Sequence, residues 1–289
     1  MLGRGGANLL VFLFAGKNAA GSSVAQRQHL RPLTAHCRSI MKVIAVLPAY
    51  NAEKTLEKTV GDIPPGVVDE VILVDDASED RTVEISRRLG LITLRHETNR
   101  GYGANQKTCY RQALDRGADI VVMIHPDYQY DARLTPYLVG LIQNDICDFV
   151  LGNRIRTRRE ALRGGMPPYK YFANRGLTVL ENFWTGQNLG EWHSGLRVYS
   201  RKVLETVPWR KNSDDFVFDQ QMLIQAAHFD FRIGDIPASA RYFAEASSIG
   251  FKRSVVYGLS TLGVLWRYRL HRMGVFNYPI LIADPDKSS

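Results

Sequence analysis

Cysteine is scarce in this chain: Cys37, Cys109 and Cys147 stand far apart, and no Cys-x-x-Cys occurs. That pattern excludes a disulfide framework and a zinc knuckle and fits a reducing, cytoplasmic setting. Long apolar runs are missing too. Residues 9–15 and 254–266 both fall short of the roughly 20 residues that cross a bilayer. No internal repeat and no low-complexity tract is present. Acids are absent from residues 1–40, which hold five of the 37 basic residues, so the rest of the chain carries 32 basic against 29 acidic. So balanced a body excludes nucleic-acid binding driven by charge alone.

The acid-free residues 1–40 stand apart from the rest. A short apolar run follows Arg4, and alanine and serine follow the run. Three readings fit: a secretory signal, an acidic-poor transit peptide, or a disordered extension upstream of the folded body. Met41 immediately precedes the first strand-like run.

From residue 41 the pattern alternates. Apolar runs at 43–47, 71–74, 92–94, 120–124 and 149–151 predict strands. The stretches 53–60, 81–89, 105–116 and 134–143 predict helices between them. Alternation at this spacing predicts an α/β fold, with a mostly parallel sheet covered by helices on both faces. Ligands of such sheets sit beyond the carboxyl ends of the strands. The residues that follow each strand are therefore the candidate site: Pro48, Tyr50, Asn51 and Glu53 after the first, Asp75, Asp76 and Asp80 after the second, His125, Asp127 and Gln129 after the fourth, and Arg154 after the fifth. Singly, each has a plain structural role: Asp80 caps a helix and Asn51 shapes a turn.

The second half differs. Residues 157–168 read as a mobile basic loop, 169–183 as a helix, and 191–200 as a polar loop entering a strand. A helix is expected over 214–229, opened by Asp214 and Asp215, which suit a helix N-terminus, and a strand over 232–236. A long helical stretch covers 251–271, apolar at its centre and flanked by Lys252 and arginines. It fits an interfacial helix on an anionic membrane or an ordinary helix packed on the main body.

Taken together, "LPAYNAEKTL", "VILVDDASEDRT", "NRGYGANQ", "IHPDYQYD" and "EWHSGLRVYSRKVL" resemble the inverting family 2 glycosyltransferases of the GT-A fold. The closest likeness is to dolichol-phosphate mannosyltransferases and other polyprenyl-phosphate glycosyltransferases. The resemblance covers about residues 42–245. It implies a catalytic domain over 41–245 with a C-terminal helical extension over 246–289, a nucleotide-diphosphate sugar as donor, a lipid phosphate as acceptor, and Mg²⁺ or Mn²⁺. It also implies residue roles. Pro48, Tyr50, Glu53, Asp75, Asp76, Asn99, Gly101 and Gly103 match the nucleotide-contacting positions. Asp127 and Gln129 match metal positions, with His125 where the family usually has its first Asp. Arg154, Ser194 and Arg197 match positions near the sugar and acceptor phosphate, and Arg241 another phosphate-binding base.

The chemistry fits these residue types. Breaking the anomeric bond loads charge onto the departing diphosphate, which a divalent cation neutralises, and hard cations take oxygen ligands such as Asp127 and the Gln129 amide. His125 offers a nitrogen instead, either to a metal, to the diphosphate, or to Asp127 from behind. A phosphate acceptor is already an anion, needs no base and needs arginines to hold it. A hydroxyl acceptor needs a carboxylate, for which Asp214, Asp215 and Asp219 are candidates, Asp215 first. A nucleotide-sugar-binding protein that has lost turnover through His125 is the remaining alternative. A nucleotidyltransferase is disfavoured because "PAYNAEK" lacks a glycine-rich phosphate loop.

Overall fold

The computed structural model describes residues 41–238, 240 and 251–283. The reading of residues 1–40 and the role expected of Arg241 lie outside them. In chain order the elements are β1 (Val43–Ala49), α1 (Leu56–Gly61), β2 (Glu70–Asp75), α2 (Thr82–Arg88), β3 (Ile92–Arg95), α3 (Tyr102–Asp115), β4 (Ile120–Met123), α4 (Thr135–Gln143), β5 (Phe149–Asn153), α5 (Arg158–Arg163), α6 (Pro168–Thr185), β6 (Arg197–Ser200), α7 (Arg201–Thr206), α8 (Phe218–His228), β7 (Ile233–Pro237) and α9 (Phe251–Arg272).

The strands form one seven-stranded sheet in the order β3-β2-β1-β4-β6-β5-β7. All neighbours run parallel except β6, which pairs antiparallel with both β4 and β5. The expected GT-A-like α/β sheet is therefore present. Because β6 reverses direction, β5 again runs parallel to β4, so the loops after β1, β2, β4 and β5 all leave one edge. Every residue of β1 is buried, as expected of a central strand covered on both faces. Its side chains alternate: Ile44 and Val46 enter a core completed by α3, α8 and α9, while Val43, Ala45 and Leu47 enter one completed by α1, α2 and α4. Period-2 alternation on one strand thus feeds two helical layers.

Four local expectations differ from the structure. Helix α1 begins at Leu56, three residues after the expected position. Residues 157–168 contain α5, because Thr157 is an N-cap whose Oγ1 accepts the Glu160 N–H at 3.1 Å, a serine/threonine-x-x-glutamate start. Helix α3 begins at Tyr102, three residues before the expected position. Helix α8 begins only at Phe218, so Asp214 and Asp215 are not its opening residues. The Asp214 carbonyl is instead turned onto the first turn of α3, where it accepts the N–H of Gly103 at 2.7 Å and of Ala104 at 3.3 Å. Two glycines permit this approach. A Cβ on Gly103 would lie 2.4 Å from the Ser213 carbonyl oxygen, and Gly101, at φ +97°, would meet the Asp214 oxygen at 2.8 Å. These glycines pack one chain segment against another.

Candidate active site

The loops after β1 and β2 are lashed together. The N–H groups of Asn51, Ala52 and Glu53 donate to Ser78 Oγ (2.8 Å), Thr82 Oγ1 (2.8 Å) and Asp80 Oδ2 (3.0 Å). In return the Glu79 N–H donates to Asn51 Oδ1 and the Arg81 N–H to Glu53 Oε2. Burial raises the Asp80 carboxyl, but the Thr82 hydroxyl and the main-chain donors outweigh it and hold the acid below its ordinary value. Asn51 and Ala77 are left-handed at φ +51° and +62°, conformations that cost of order 1 kcal/mol or more and cluster at functional sites.

The residues expected on the nucleotide side divide into two kinds. Asp75 is fully buried. Its Oδ2 accepts the Ser78 N–H at 3.0 Å, while its Oδ1 is buried with no partner among the described residues. An orphaned carboxylate oxygen at a strand end calls for a donor from outside the chain. Tyr50 is exposed and directly follows Ala49, the residue that pairs with Asp75 across β1 and β2. Asp76, by contrast, is spent internally: its oxygens accept the N–H groups of Arg100 and Gly101 at 2.9 Å each, and Oδ1 lies 2.7 Å from His96 Nδ1. Asn99 Oδ1 braces Gly101 N–H at 3.2 Å. Pro48 is buried in β1, Glu53 struts the two loops, and Gly101 and Gly103 face the 213–214 backbone.

Beyond β4 the chain opens into a cavity of about 930 Å³ lined by His125, Asp127, Gln129, Arg154, Lys170, His193, Asp219 and Arg253, and by apolar residues of α6 and α9. The Gln129 N–H donates to Asp127 Oδ1 at 3.1 Å across Tyr128, itself left-handed at φ +60°, so two oxygen donors are held on one tight turn. Among the described residues no three His, Cys, Asp or Glu side chains form a ready-made metal cluster. One carboxylate and one amide suit a hard cation that brings its remaining oxygens with it.

His125 is clamped. Its Nε2 lies 2.8 Å from the Tyr102 hydroxyl, and the two rings stack at 5.3 Å. A Cβ on Gly195 would be 2.7 Å from the imidazole Cδ2, so only glycine leaves room. Tyr102 donates in turn to Asp219 Oδ2 at 2.6 Å, and Gln106 donates to Asp219 Oδ1 at 3.1 Å. Burial, opposed by the charges of Asp127 and Asp219, holds the imidazole below its ordinary 6.5. Burial and the Asp219 charge push the Tyr102 phenol well up.

Arg154 reaches the cavity tied to Glu191. Its Nε donates to Glu191 Oε1 at 2.8 Å, its Nη2 to the same oxygen and to the His193 carbonyl, and its main-chain N–H to Oε2 at 2.7 Å. Asn174 adds a donor to Oε1 at 3.0 Å. Glu191 is wholly buried. Burial raises its carboxyl, yet the Arg154 charge and hydrogen bonds hold it below its ordinary value.

Arg197 does not share this role. It is fully buried, and its guanidinium donates to the carbonyls of Ser194 (2.8 Å), Asp219 (2.7 Å) and Trp192 (3.3 Å). Burial opposes its charge, but Asp219 keeps it above the usual arginine value. It joins β6 to α8 and the 192–194 loop and is not among the cavity's lining residues. Ser194 is buried as well, its Oγ accepting the Leu196 N–H at 3.4 Å. Asp215 is exposed on the turn before α8, accepts its neighbour's N–H at 2.7 Å and is not among the cavity's lining residues, whereas Asp219 is. The cavity's cations are Arg154, Lys170 and Arg253; burial, then the Arg154 charge, lowers the Lys170 ammonium. Tyr102, Lys170, Glu191 and Arg253 were not singled out from sequence. Tyr102 and Glu191 do lie inside the quoted motifs, between two close-packed glycines and at the head of "EWHSG".

Several comparisons bear on this arrangement. The chain is 26% identical over 249 residues to UDP-N-acetylglucosamine–dolichyl-phosphate N-acetylglucosaminyltransferase of Methanococcus voltae, spanning 80% of this chain and 96% of that one. It is 29% identical over 229 residues to the dolichyl-phosphate hexose transferase of Haloferax volcanii, spanning 78% and 94%. Its fold is similar to that of glucosyl-3-phosphoglycerate synthase from Mycobacterium tuberculosis, solved with Mn²⁺, UDP and phosphoglyceric acid. The TM-score is 0.60 at 20% identity, over 82% of this chain and 80% of that one. The family model for glycosyl transferase family 2 matches residues 44–207, more than half of the sequence, and the chain therefore belongs to glycosyl transferase family 2.

Proposed function

We propose that this protein moves a sugar, with inversion, from a nucleoside-diphosphate donor to the phosphate of a polyprenyl-type lipid. The observation that carries this reading is the make-up of one cavity. Its lining divides between polar groups, among them Asp127, Gln129, Arg154 and Lys170, and apolar ones, among them Leu177 and Leu180 of α6 with Leu259 and Leu262 of α9. A charged headgroup on an apolar tail has that same division. The names of the Methanococcus and Haloferax relatives, both dolichyl-phosphate transferases, support it.

The residues divide the work as follows. Asp75 Oδ1 accepts a donor hydrogen from the base, and the Tyr50 ring covers the nucleotide at the loop entrance. A divalent cation, Mg²⁺ or Mn²⁺, neutralises the leaving diphosphate when bound; Asp127 and the Gln129 amide oxygen are the groups that would hold it. Arg154, pre-oriented by Glu191, and Lys170 hold the acceptor phosphate. That phosphate is an anion already, so the reaction asks for no general base. The same point favours phosphate over a hydroxyl acceptor: Asp215 is not on the cavity, and Asp219 is engaged by Tyr102 and Gln106.

The setting is cytoplasmic and peripheral to a membrane. Among the described residues no helix is long and apolar enough to cross a bilayer. Helix α9 buries Val264, Leu265 and Tyr268 yet leaves Leu259 64% exposed and Trp266 57%, and Phe183 of α6 is 80% exposed. A helix apolar on its packed side and its outer side, with Arg253, Arg267, Arg269 and Arg272 along it, suits an anionic bilayer surface. Residues 41–245 form the catalytic domain of this scheme and 246–289 its lipid-facing extension.

The experiment is sugar transfer from radiolabelled UDP- or GDP-sugars to polyprenyl phosphate in anionic vesicles, with Mn²⁺ or Mg²⁺. Label is expected in the organic phase with at least one donor. Donor binding without label in lipid under any metal would instead identify a binding protein that lacks turnover.

A further inference from the structure

His125 stands where an oxygen ligand was expected, and its surroundings leave little freedom. A Cβ on Gly195 would lie 2.7 Å from the ring's Cδ2, and the Tyr102 ring stacks on the imidazole at 5.3 Å. The hydrogen bonds then fix which nitrogen carries the proton. Tyr102 has one hydroxyl hydrogen, and it lies 2.6 Å from Asp219 Oδ2. A carboxylate has no hydrogen to return, so the phenol donates to Asp219. Its oxygen is left as the acceptor for His125, 2.8 Å away, and Nε2 is therefore the protonated nitrogen. Nδ1 keeps its lone pair, has no hydrogen-bond partner among the described residues, and belongs to a side chain lining the cavity beside Asp127 and Gln129. Asp219 is braced from behind on Oδ1, which accepts from Gln106 at 3.1 Å and has Arg197 Nε 3.9 Å away.

We infer that Asp219 and Tyr102 are positioning residues that lock His125 in the Nε2-protonated tautomer, so that its Nδ1 lone pair faces the nucleotide-bound cation and makes the site favour Mn²⁺ over Mg²⁺. The pattern is that of a ligating histidine whose distal nitrogen is held by a hydrogen-bonded carboxylate chain. Imidazole nitrogen is an acceptable ligand for transition ions and a poor one for Mg²⁺, which demands oxygen. The inference deepens the proposed function and rests on the cation assumed there.

The test is pulsed electron paramagnetic resonance of Mn²⁺ bound to the full-length protein with UDP, and with GDP in parallel, alongside a Mn²⁺ titration. Wild type is expected to show ¹⁴N coupling to the manganese, and His125→Ala to lose it. His125→Asp is expected to bind Mn²⁺ without ¹⁴N coupling and to close the gap between Mn²⁺ and Mg²⁺. Tyr102→Phe keeps the stacked ring but frees the tautomer; its Mn²⁺ affinity is expected to fall about tenfold, in the range of lost supporting hydrogen bonds, and Asp219→Asn to follow it. Mn²⁺–nucleotide binding without ¹⁴N coupling in wild type overturns the assignment of His125 while sparing the proposed function. Coupling that survives His125→Ala overturns it by putting the nitrogen elsewhere. An unchanged Tyr102→Phe affinity and spectrum overturns the relay. Failure of wild type to bind Mn²⁺ with either nucleotide overturns both readings.

Discussion

Asp127→Ala is expected to lower kcat/KM for sugar transfer by about a thousandfold and to abolish the metal-dependent rise in melting temperature that nucleotide confers. The size follows from losing a charge at the point where the leaving group becomes negative; single electrostatic contributors of that kind are worth about 10²–10³ in rate, and a metal ligand belongs at the upper end. Asp127 also has a local duty, since its Oδ1 accepts the Gln129 N–H at 3.1 Å across the left-handed Tyr128. Alanine removes both. Asp127→Asn keeps an amide oxygen for the turn and removes only the charge, so it separates the two effects. Both variants are expected to lose the metal-dependent shift, because a ligand raises the melting point only through binding to the folded state. Only alanine is expected to lower the ligand-free melting temperature measurably. Wild-type transfer by Asp127→Asn would remove the residue from the site.

The second large effect is on stability. Arg154→Leu leaves Glu191 buried beneath the cavity without its counter-charge. Breaking one side of a buried pair costs about 3–5 kcal/mol, which for a body of this size corresponds to a fall in melting temperature of roughly 10 °C. Arg154→Leu with Glu191→Gln removes the stranded charge and is expected to recover more than half of that loss, while transfer stays lost because the acceptor phosphate has no arginine. The pH dependence has a definite sign. Arg154 holds the Glu191 carboxyl below its ordinary 4.5 in the fold. The pair's contribution is therefore fully present above 4.5 and fades as the pH falls through the lowered value. Denaturant midpoints of wild type and Arg154→Leu are expected to differ fully at pH 7 and to converge below about pH 4.5. A constant gap down to pH 3 would show that Glu191 is not what Arg154 stabilises.

Much of this architecture was legible in the sequence because its signals are local. The apolar runs at 43–47, 71–74, 92–94, 120–124 and 149–151 each fall on an observed strand, and the polar residues after β1, β2, β4 and β5 share one edge of the sheet. What was not legible depends on partners distant in sequence. Arg197 follows a serine and a glycine near the cavity and resembles a phosphate ligand, yet three carbonyls close around it as β6 packs against α8. Asp214 and Asp215 look like the start of a helix, but two glycines more than a hundred residues earlier draw the Asp214 carbonyl onto α3 and delay α8 to Phe218. Asp76 looks like a partner of Asp75, and is instead the brace of the 99–101 turn. Glu191 and Tyr102 are ordinary residues in sequence; only the fold places one under Arg154 and the other between His125 and Asp219.

The central claim is that the loops after β1, β2 and β4 bind one nucleoside diphosphate along the sheet edge, with its cation at Asp127. Anomalous diffraction from a crystal grown with Mn²⁺ and UDP or GDP tests this most directly. The account predicts a single manganese peak within bonding distance of the Asp127 carboxylate and the Gln129 amide oxygen, with the base hydrogen-bonded to Asp75 Oδ1. A manganese peak elsewhere, or a nucleotide seated away from Asp75, would contradict it.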